Sequence, residues 1–163
     1  MLYICLSKHS ADNEIKTSFF IRLFIFNHSL CLRLYIYVYF SEKFLNEQIA
    51  DSMYENFPIS AIGELRQLLL SHPDLCGLNV TIPYKEAIIK YLDEVDPEAQ
   101  KIGAVNTIKI TDANKLVGYN TDAHGFQKSI EPLLKSHHKK ALILGTGGAS
   151  KAIAYVFKKL DID

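Results

Sequence analysis

Residues 141–160 read ALILGTGGASKAIAYVFKKL, and this run decides the fold class. Ala141 to Leu144 is an apolar tetrad suited to a buried strand, Gly145-Thr146-Gly147-Gly148 is a glycine turn, and Ala149 to Leu160 has helical spacing. A strand that runs through such a turn into a helix is the opening unit of a parallel α/β sheet. Backbone N–H groups at the start of the helix suit a pyrophosphate, and the glycines let it approach closely. Gly145, Thr146, Gly147, Gly148, Ala149 and Ser150 are therefore candidate phosphate-binding residues. Ser150 stands where the dinucleotide fingerprint has its third glycine, and no ribose-reading residue follows before Asp163. A plain glycine turn between strand and helix is the alternative reading.

Upstream, from residue 41, the apolar period alternates between helical and extended, which extends the α/β reading. Ser41 to Ala50 and Ile62 to Ser71 read as helices, Ser52 to Pro58 and Cys76 to Ile82 as strands, and Lys85 to Leu92 as a helix after Pro83. Asp96-Pro97 opens another helix, with Asp as N-cap and Pro at the first helical position. Val105 to Ile110 and Leu116 to Tyr119 flank a polar turn as a hairpin, and a helix is expected from Asn120 to about Lys135.

Composition sets the outer limits. The chain has 163 residues, 18 basic and 18 acidic, so its formal charge is zero and no summed field favours nucleic acid or an anionic membrane. Cys5, Cys31 and Cys76 are odd in number with no C-x-x-C pair, which fits a reducing cytoplasm better than a disulfide framework or a zinc site. The six histidines show no ligand spacing, and no metal is expected. Residues 1–40 are of another kind: they hold nine of the eighteen aromatics, and all the glycine and proline lies beyond them. Residues 18–40 approach the roughly 20 apolar residues of a membrane span. Arg22, Asn27, His28 and Arg33 interrupt them, so no membrane segment is expected.

Four short segments occur in a telling order. They are Asn79-Val80-Thr81-Ile82-Pro83-Tyr84-Lys85, Gly103-Ala104-Val105-Asn106-Thr107, Gly118-Tyr119-Asn120-Thr121-Asp122-Ala123-His124-Gly125, and Gly145-Thr146-Gly147-Gly148-Ala149-Ser150. Together they resemble the successive signatures of the shikimate dehydrogenase family, from about Tyr39 to Asp163. The resemblance implies an α/β fold in which a substrate-binding domain, a mixed sheet flanked by helices, is followed by the first β-turn-α unit of a Rossmann domain. It divides the chain into an unmatched segment 1–38, a substrate-binding region 39–120, and a connecting helix with the start of an NADP-binding domain at 121–163. It implies reversible reduction of 3-dehydroshikimate to shikimate, a small-molecule substrate on the route to aromatic amino acids, with NADP as cofactor. A quinate/shikimate dehydrogenase is the nearest alternative, and oligomeric state is left open.

By the same resemblance Lys85 matches the family's catalytic lysine and Asp122 its partner aspartate, both also touching substrate. The chemistry is consistent, because a ketone reduced by hydride leaves an alkoxide that needs a proton from a positioned acid. Thr81 and Asn106 match positions that bind substrate hydroxyls, with Asn79 a neighbour. Taken by residue type alone, Lys85 reads as a solvated helix start, Asp122 as a helix N-cap, and Asn106 as an amide capping backbone near the hairpin. Family members also carry two serines that hold the substrate carboxylate; counted back from Tyr39-Phe40, those positions are Leu34 and Ile36 here. The expectation is that this chain lacks the carboxylate anchor and the central strand that leads to it. A mis-specified N-terminus, with a lineage-specific extension as the alternative, and a truncated cofactor domain are expected as well, so that the chain itself is an inactive fragment that does not oxidise shikimate.

Overall fold

The computed structural model describes the backbone of residues 2–7, residues 39, 42–44, 46 and 47, and all of 52–163. Six strands, β1 (Leu2–Ser7), β2 (Ser52–Phe57), β3 (Gly77–Val80), β4 (Glu94–Val95), β5 (Thr107–Ile110) and β6 (Leu116–Tyr119), form one sheet in the order β2-β1-β3-β5-β6-β4. Every pairing is antiparallel except β4 with β6, so the sheet is mixed as expected.

The position of β1 corrects the expectation of a lost central strand. Leu2–Ser7 lies between β2 and β3, with Leu2 opposite Phe57 on one side and Val80 on the other. Without it those two strands would present bare edges to each other, and the apolar, β-favouring stretch LYICLS is suited to fill the gap.

The alternation of side chains across the pleat decides which face is covered. Leu78, Val80 and Ile108 are buried among Leu65, Leu68, Leu75, Ile88, Ala99 and Val105, which form the principal core. Leu65 and Leu68 come from α1 (Leu65–Ser71), entered through a 3₁₀ turn at Ile62–Glu64. Asn79 and Thr107, directly opposite each other on β3 and β5, project to the other face, with Tyr119 of β6 next in the same rung.

Several boundaries depart from expectation for local reasons. The segment after Pro83 is a 3₁₀ helix over Ala87–Tyr91 and not an α-helix from Lys85, because after one four-residue bond (Ile88 N–H to Tyr84 O) its ladder tightens to three-residue spacing. β3 stops at Val80, where the chain turns and Tyr84 N–H bonds back to Thr81 O. Asp96 caps α2 (Pro97–Ile102) through Glu98 N and Ala99 N, as expected, and Gly103 closes it in the left-handed region at φ 73°. α3 (Thr121–Ile130) ends before Lys135 and passes into a 3₁₀ turn at Glu131–Leu133, Pro132 having no N–H to continue the ladder. Residues 42–44 and 46 are helical, inside the expected helix 41–50, and Phe44 is buried.

The expected strand Ala141 to Leu144 does not form. Leu142 and Leu144 are 83% and 88% exposed, and these residues join no ladder among the described strands. The physical reason is that no strand among the described residues lies beside it: Asp163 O accepts from Ala141 N–H at 2.6 Å, and Asp163 N–H donates to Lys139 O, just before the run, at 3.0 Å. The glycine turn and its helix do form, as α4 (Gly148–Lys159). That helix builds a second core with α3 and the end of α2, in which Ala152 and Val156 meet Ile102, Ala104 and Ala123.

Candidate active site

Three sequence-distant segments converge at one end of the hairpin. Lys85 lies in the turn after β3, Asn106 immediately before β5, and Asp122 in the first turn of α3. Backbone bonds lock the three together: Val105 N–H donates to Lys85 O at 2.7 Å, Val80 N–H to Asn106 O at 2.7 Å, and Asn106 N–H to Tyr119 O at 3.0 Å. These bonds make the approach of Lys85 to Asp122 a property of the fold.

Lys85 Nζ donates to Asp122 Oδ2 at 2.6 Å, and the two side chains are 12% and 11% exposed. A pair so far removed from water gains much more from its attraction than a surface pair does. Asn106, itself buried, donates from Nδ2 to the other carboxylate oxygen, Asp122 Oδ1, at 2.8 Å. Asp122 is thereby held at both oxygens and cannot swing. Its role as helix N-cap goes to Asn120, whose Oδ1 accepts from Ala123 N–H while its Nδ2 donates to Ala104 O. Asp122 sits two residues further on, in the favourable field of the helix start.

Residue-type reasoning missed Thr121 and Thr107. Asn106 Oδ1 accepts from Thr121 N–H at 2.9 Å and from the Thr107 hydroxyl at 3.0 Å, while Asn106 Nδ2 donates also to Thr121 Oγ1 at 2.9 Å. The signal that could have found Thr121 is the run Asn120-Thr121-Asp122 at a helix start, since each of these residue types bonds readily to nearby backbone. Asn79 donates from Nδ2 to the Tyr54 hydroxyl at 3.5 Å. Thr81 stands just past β3, and its side chain makes no hydrogen bond into the Lys85, Asn106 and Asp122 cluster among the described residues. Leu34 and Ile36 lie outside the described residues.

The glycine turn is placed beside this cluster. Gly147 is the N-cap of α4 with no side-chain cap, and Gly145 has φ 125°, a conformation only glycine adopts freely. A methyl group at Gly147 would meet nothing within 4 Å, so this part of the turn faces open space. A methyl group at Gly148 would instead stand 2.9 Å from Lys85 Cβ and 3.2 Å from Ala104 Cβ. Lys151 of α4 also reaches back, with Nζ 2.5 Å from Glu86 Oε2. Among the described residues no group of His, Cys, Asp and Glu could hold a metal, and no helix is long and apolar enough to cross a membrane.

Known proteins resemble this chain in sequence and in fold. Residues 38–108 match the family model described as the shikimate dehydrogenase substrate binding domain. A shikimate dehydrogenase (NADP(+)) of Lysinibacillus sphaericus is 53% identical over 85 residues, 51% of this chain and 31% of its own length. The crystal structure of shikimate dehydrogenase 1 from Peptoclostridium difficile superposes with a TM-score of 0.68 at 40% identity, covering 77% of this chain and 48% of that one. A quinate dehydrogenase of Corynebacterium glutamicum in complex with NAD superposes with a TM-score of 0.54 at 36% identity, over 63% of this chain and 38% of its own. This chain therefore spans between about three tenths and a half of the length of such relatives.

Proposed function

Starting from the likeness of residues 38–108 to the substrate-binding domain of shikimate dehydrogenases, we propose that this sequence forms the substrate side of an NADP-dependent shikimate dehydrogenase. The reaction is the reversible reduction of 3-dehydroshikimate to shikimate, an oxidoreductase step toward aromatic amino acids, in the cytoplasm. The observation that carries this reading is the buried Lys85 and Asp122 pair, locked at 2.6 Å and braced by Asn106.

In this reading Lys85 is the acid and base. Its ammonium has three donors and gives one to Asp122, which leaves two to hold an oxygen of the ring. When the ketone is reduced, Nζ donates a proton to the new alkoxide; when shikimate is oxidised, the amine takes the hydroxyl proton. Asp122 fixes the direction of Nζ and balances its charge. Thr81 and Asn79 read ring hydroxyls, while Asn106, whose amide is already spent on Asp122, Thr121 and Thr107, meets a ring hydroxyl only by sharing one of those bonds.

The N-terminal turn of α4 suits the cofactor, since the uncapped N–H groups after Gly147 and the open space above it fit a pyrophosphate. Gly145, Thr146, Gly147, Ala149 and Ser150 would hold it, with Gly148 beneath. When bound, NADP supplies or accepts the hydride. Residues 121–163 then serve as the connecting helix and the beginning of the cofactor domain, and 39–120 as the substrate domain.

The test is titration of shikimate into the 163-residue chain, read from the NMR signals of the Asn106 amide and the Lys85 side chain. Saturable shifts at both are expected, and in Asn106→Ala the Lys85 shift should weaken or vanish. Absence of shifts at saturating shikimate would refute the reading, and stronger shifts with quinate would move the substrate to that ring.

A further inference from the structure

We propose that Gly148 is a positioning residue for Lys85: the backbone of the first residue of α4 is the wall on which the lysine stem rests, and the missing side chain sets the reach of Nζ to Asp122. The inference rests on the acid and base role given to Lys85 above only for its functional meaning. Its geometry stands independently.

Three observations carry it. A Cβ at residue 148 would lie 2.9 Å from Lys85 Cβ and 3.3 Å from Lys85 Cδ, so the first and third carbons of the stem both lean on this backbone. The first of these cannot move aside by changing rotamer, because Cβ is fixed by the Lys85 backbone, and Lys85 O is tied to Val105 N–H at 2.7 Å. On the far side Ala104 Cβ would lie 3.2 Å away, which closes the other escape. Next to Lys85, Glu86 is paired with Lys151 one turn along α4, so the helix grips the Lys85-Glu86 turn at two points. Gly147, one residue earlier, has open space where its side chain would be. The two adjacent glycines thus have different duties: Gly147 leaves room outside the helix, and Gly148 leaves room for the lysine.

The consequence is mechanical. Any shift of the glycine turn relative to α3 is transmitted to Lys85 directly, without passing through substrate. Placing the phosphate-binding turn and the proton-transfer group back to back lets the position of one set the geometry of the other.

The experiment measures the reactivity of Lys85 in the 163-residue chain, by timed acylation with acetic anhydride and peptide mass spectrometry, with Lys158 as the internal reference. In the parent chain Lys85 is expected to label slowly, being buried and paired. Gly148→Ala is expected to raise its rate several-fold and to abolish the slowly exchanging Lys85 ammonium signal in ¹⁵N NMR, while Gly147→Ala keeps the parental rate and signal. Equal Lys85 rates in the parent and a folded Gly148→Ala chain would overturn the proposal, as would an equal increase in Gly147→Ala. If Gly148→Ala does not fold, Ala104→Gly/Gly148→Ala, which removes the Ala104 contact and keeps both contacts with Lys85, takes its place with the same expectations. Turnover is not the readout, so failure of the dehydrogenase assignment and failure of this proposal are separately visible.

Discussion

Lys85, Asp122 and Asn106 lie far apart in sequence, and each has an ordinary reading by itself. What the structure adds is that one carboxylate receives Lys85 on one oxygen and Asn106 on the other. A proton-transfer role predicts a particular kinetic pattern in a full-length dehydrogenase that carries residues 1–163. Lys85→Ala should lower kcat by about 10²- to 10⁴-fold and leave KM for shikimate nearly unchanged. Steady-state kinetics with KM raised and kcat intact would make Lys85 a binding residue only. Asp122→Asn keeps the shape and the bond to Asn106 but removes the counter-charge, and the same assay should show most of the loss in kcat. The order of the four short motifs made Lys85, Asn106 and Asp122 legible before the fold was known. Thr121 and Thr107 were not legible, because their part is to bond Asn106, and a residue that acts through a neighbour leaves no mark in composition or spacing.

At the scale of elements, strong local chemistry was read correctly and context-dependent chemistry was not. Asp96-Pro97 capped α2 as expected because the cap is satisfied within four residues. Asp96→Ala should therefore cost about 1 kcal/mol, measured by urea unfolding. The hairpin β5–β6 was legible from its polar turn, but β4 and β1 were not. A two-residue strand has no periodicity, and β1 is identified only by the edges it fills. Ala141 to Leu144 shows the converse, an apolar run whose strand character depends on a neighbouring strand, and none of the described strands pairs with it. Gly118 on β6 is the sharpest test of element packing, since a methyl group there would collide with Leu92 Cδ1 and stand 2.9 Å from Val105 Cγ2. Gly118→Ala should destabilise by about 1–3 kcal/mol, as overfilled cores do. Because Val105 carries the bond to Lys85 O, the same substitution should speed Lys85 acylation; an unchanged melting temperature would argue against the close contact.

For the whole molecule, the two cores have different completeness. The sheet core is closed by α1 and the 3₁₀ segment, whereas α4 is covered on the side of α3 and leaves Leu142 and Leu144 outside. Two leucines exposed on a short unpaired run invite contact with other apolar surfaces. The double substitution Leu142→Lys/Leu144→Lys should reduce self-association in sedimentation velocity without lowering the melting temperature. A fall in melting temperature would show that these leucines are buried in solution.

The place of β1 between β2 and β3 also has a consequence in time. Its two partners are encoded far downstream, and the second of them ends at Val80. At about 5–20 residues per second, a ribosome needs roughly 4 to 15 seconds to travel from Ser7 to Val80. For roughly the first two thirds of that interval, until Phe57 completes β2, the segment that will become the middle of the sheet has no partner, and until Val80 it has only one, so anything that binds extended apolar backbone competes for it. Translation speed over residues 8–80, and the supply of chaperones during it, should therefore govern the soluble yield of this protein more than its final stability does.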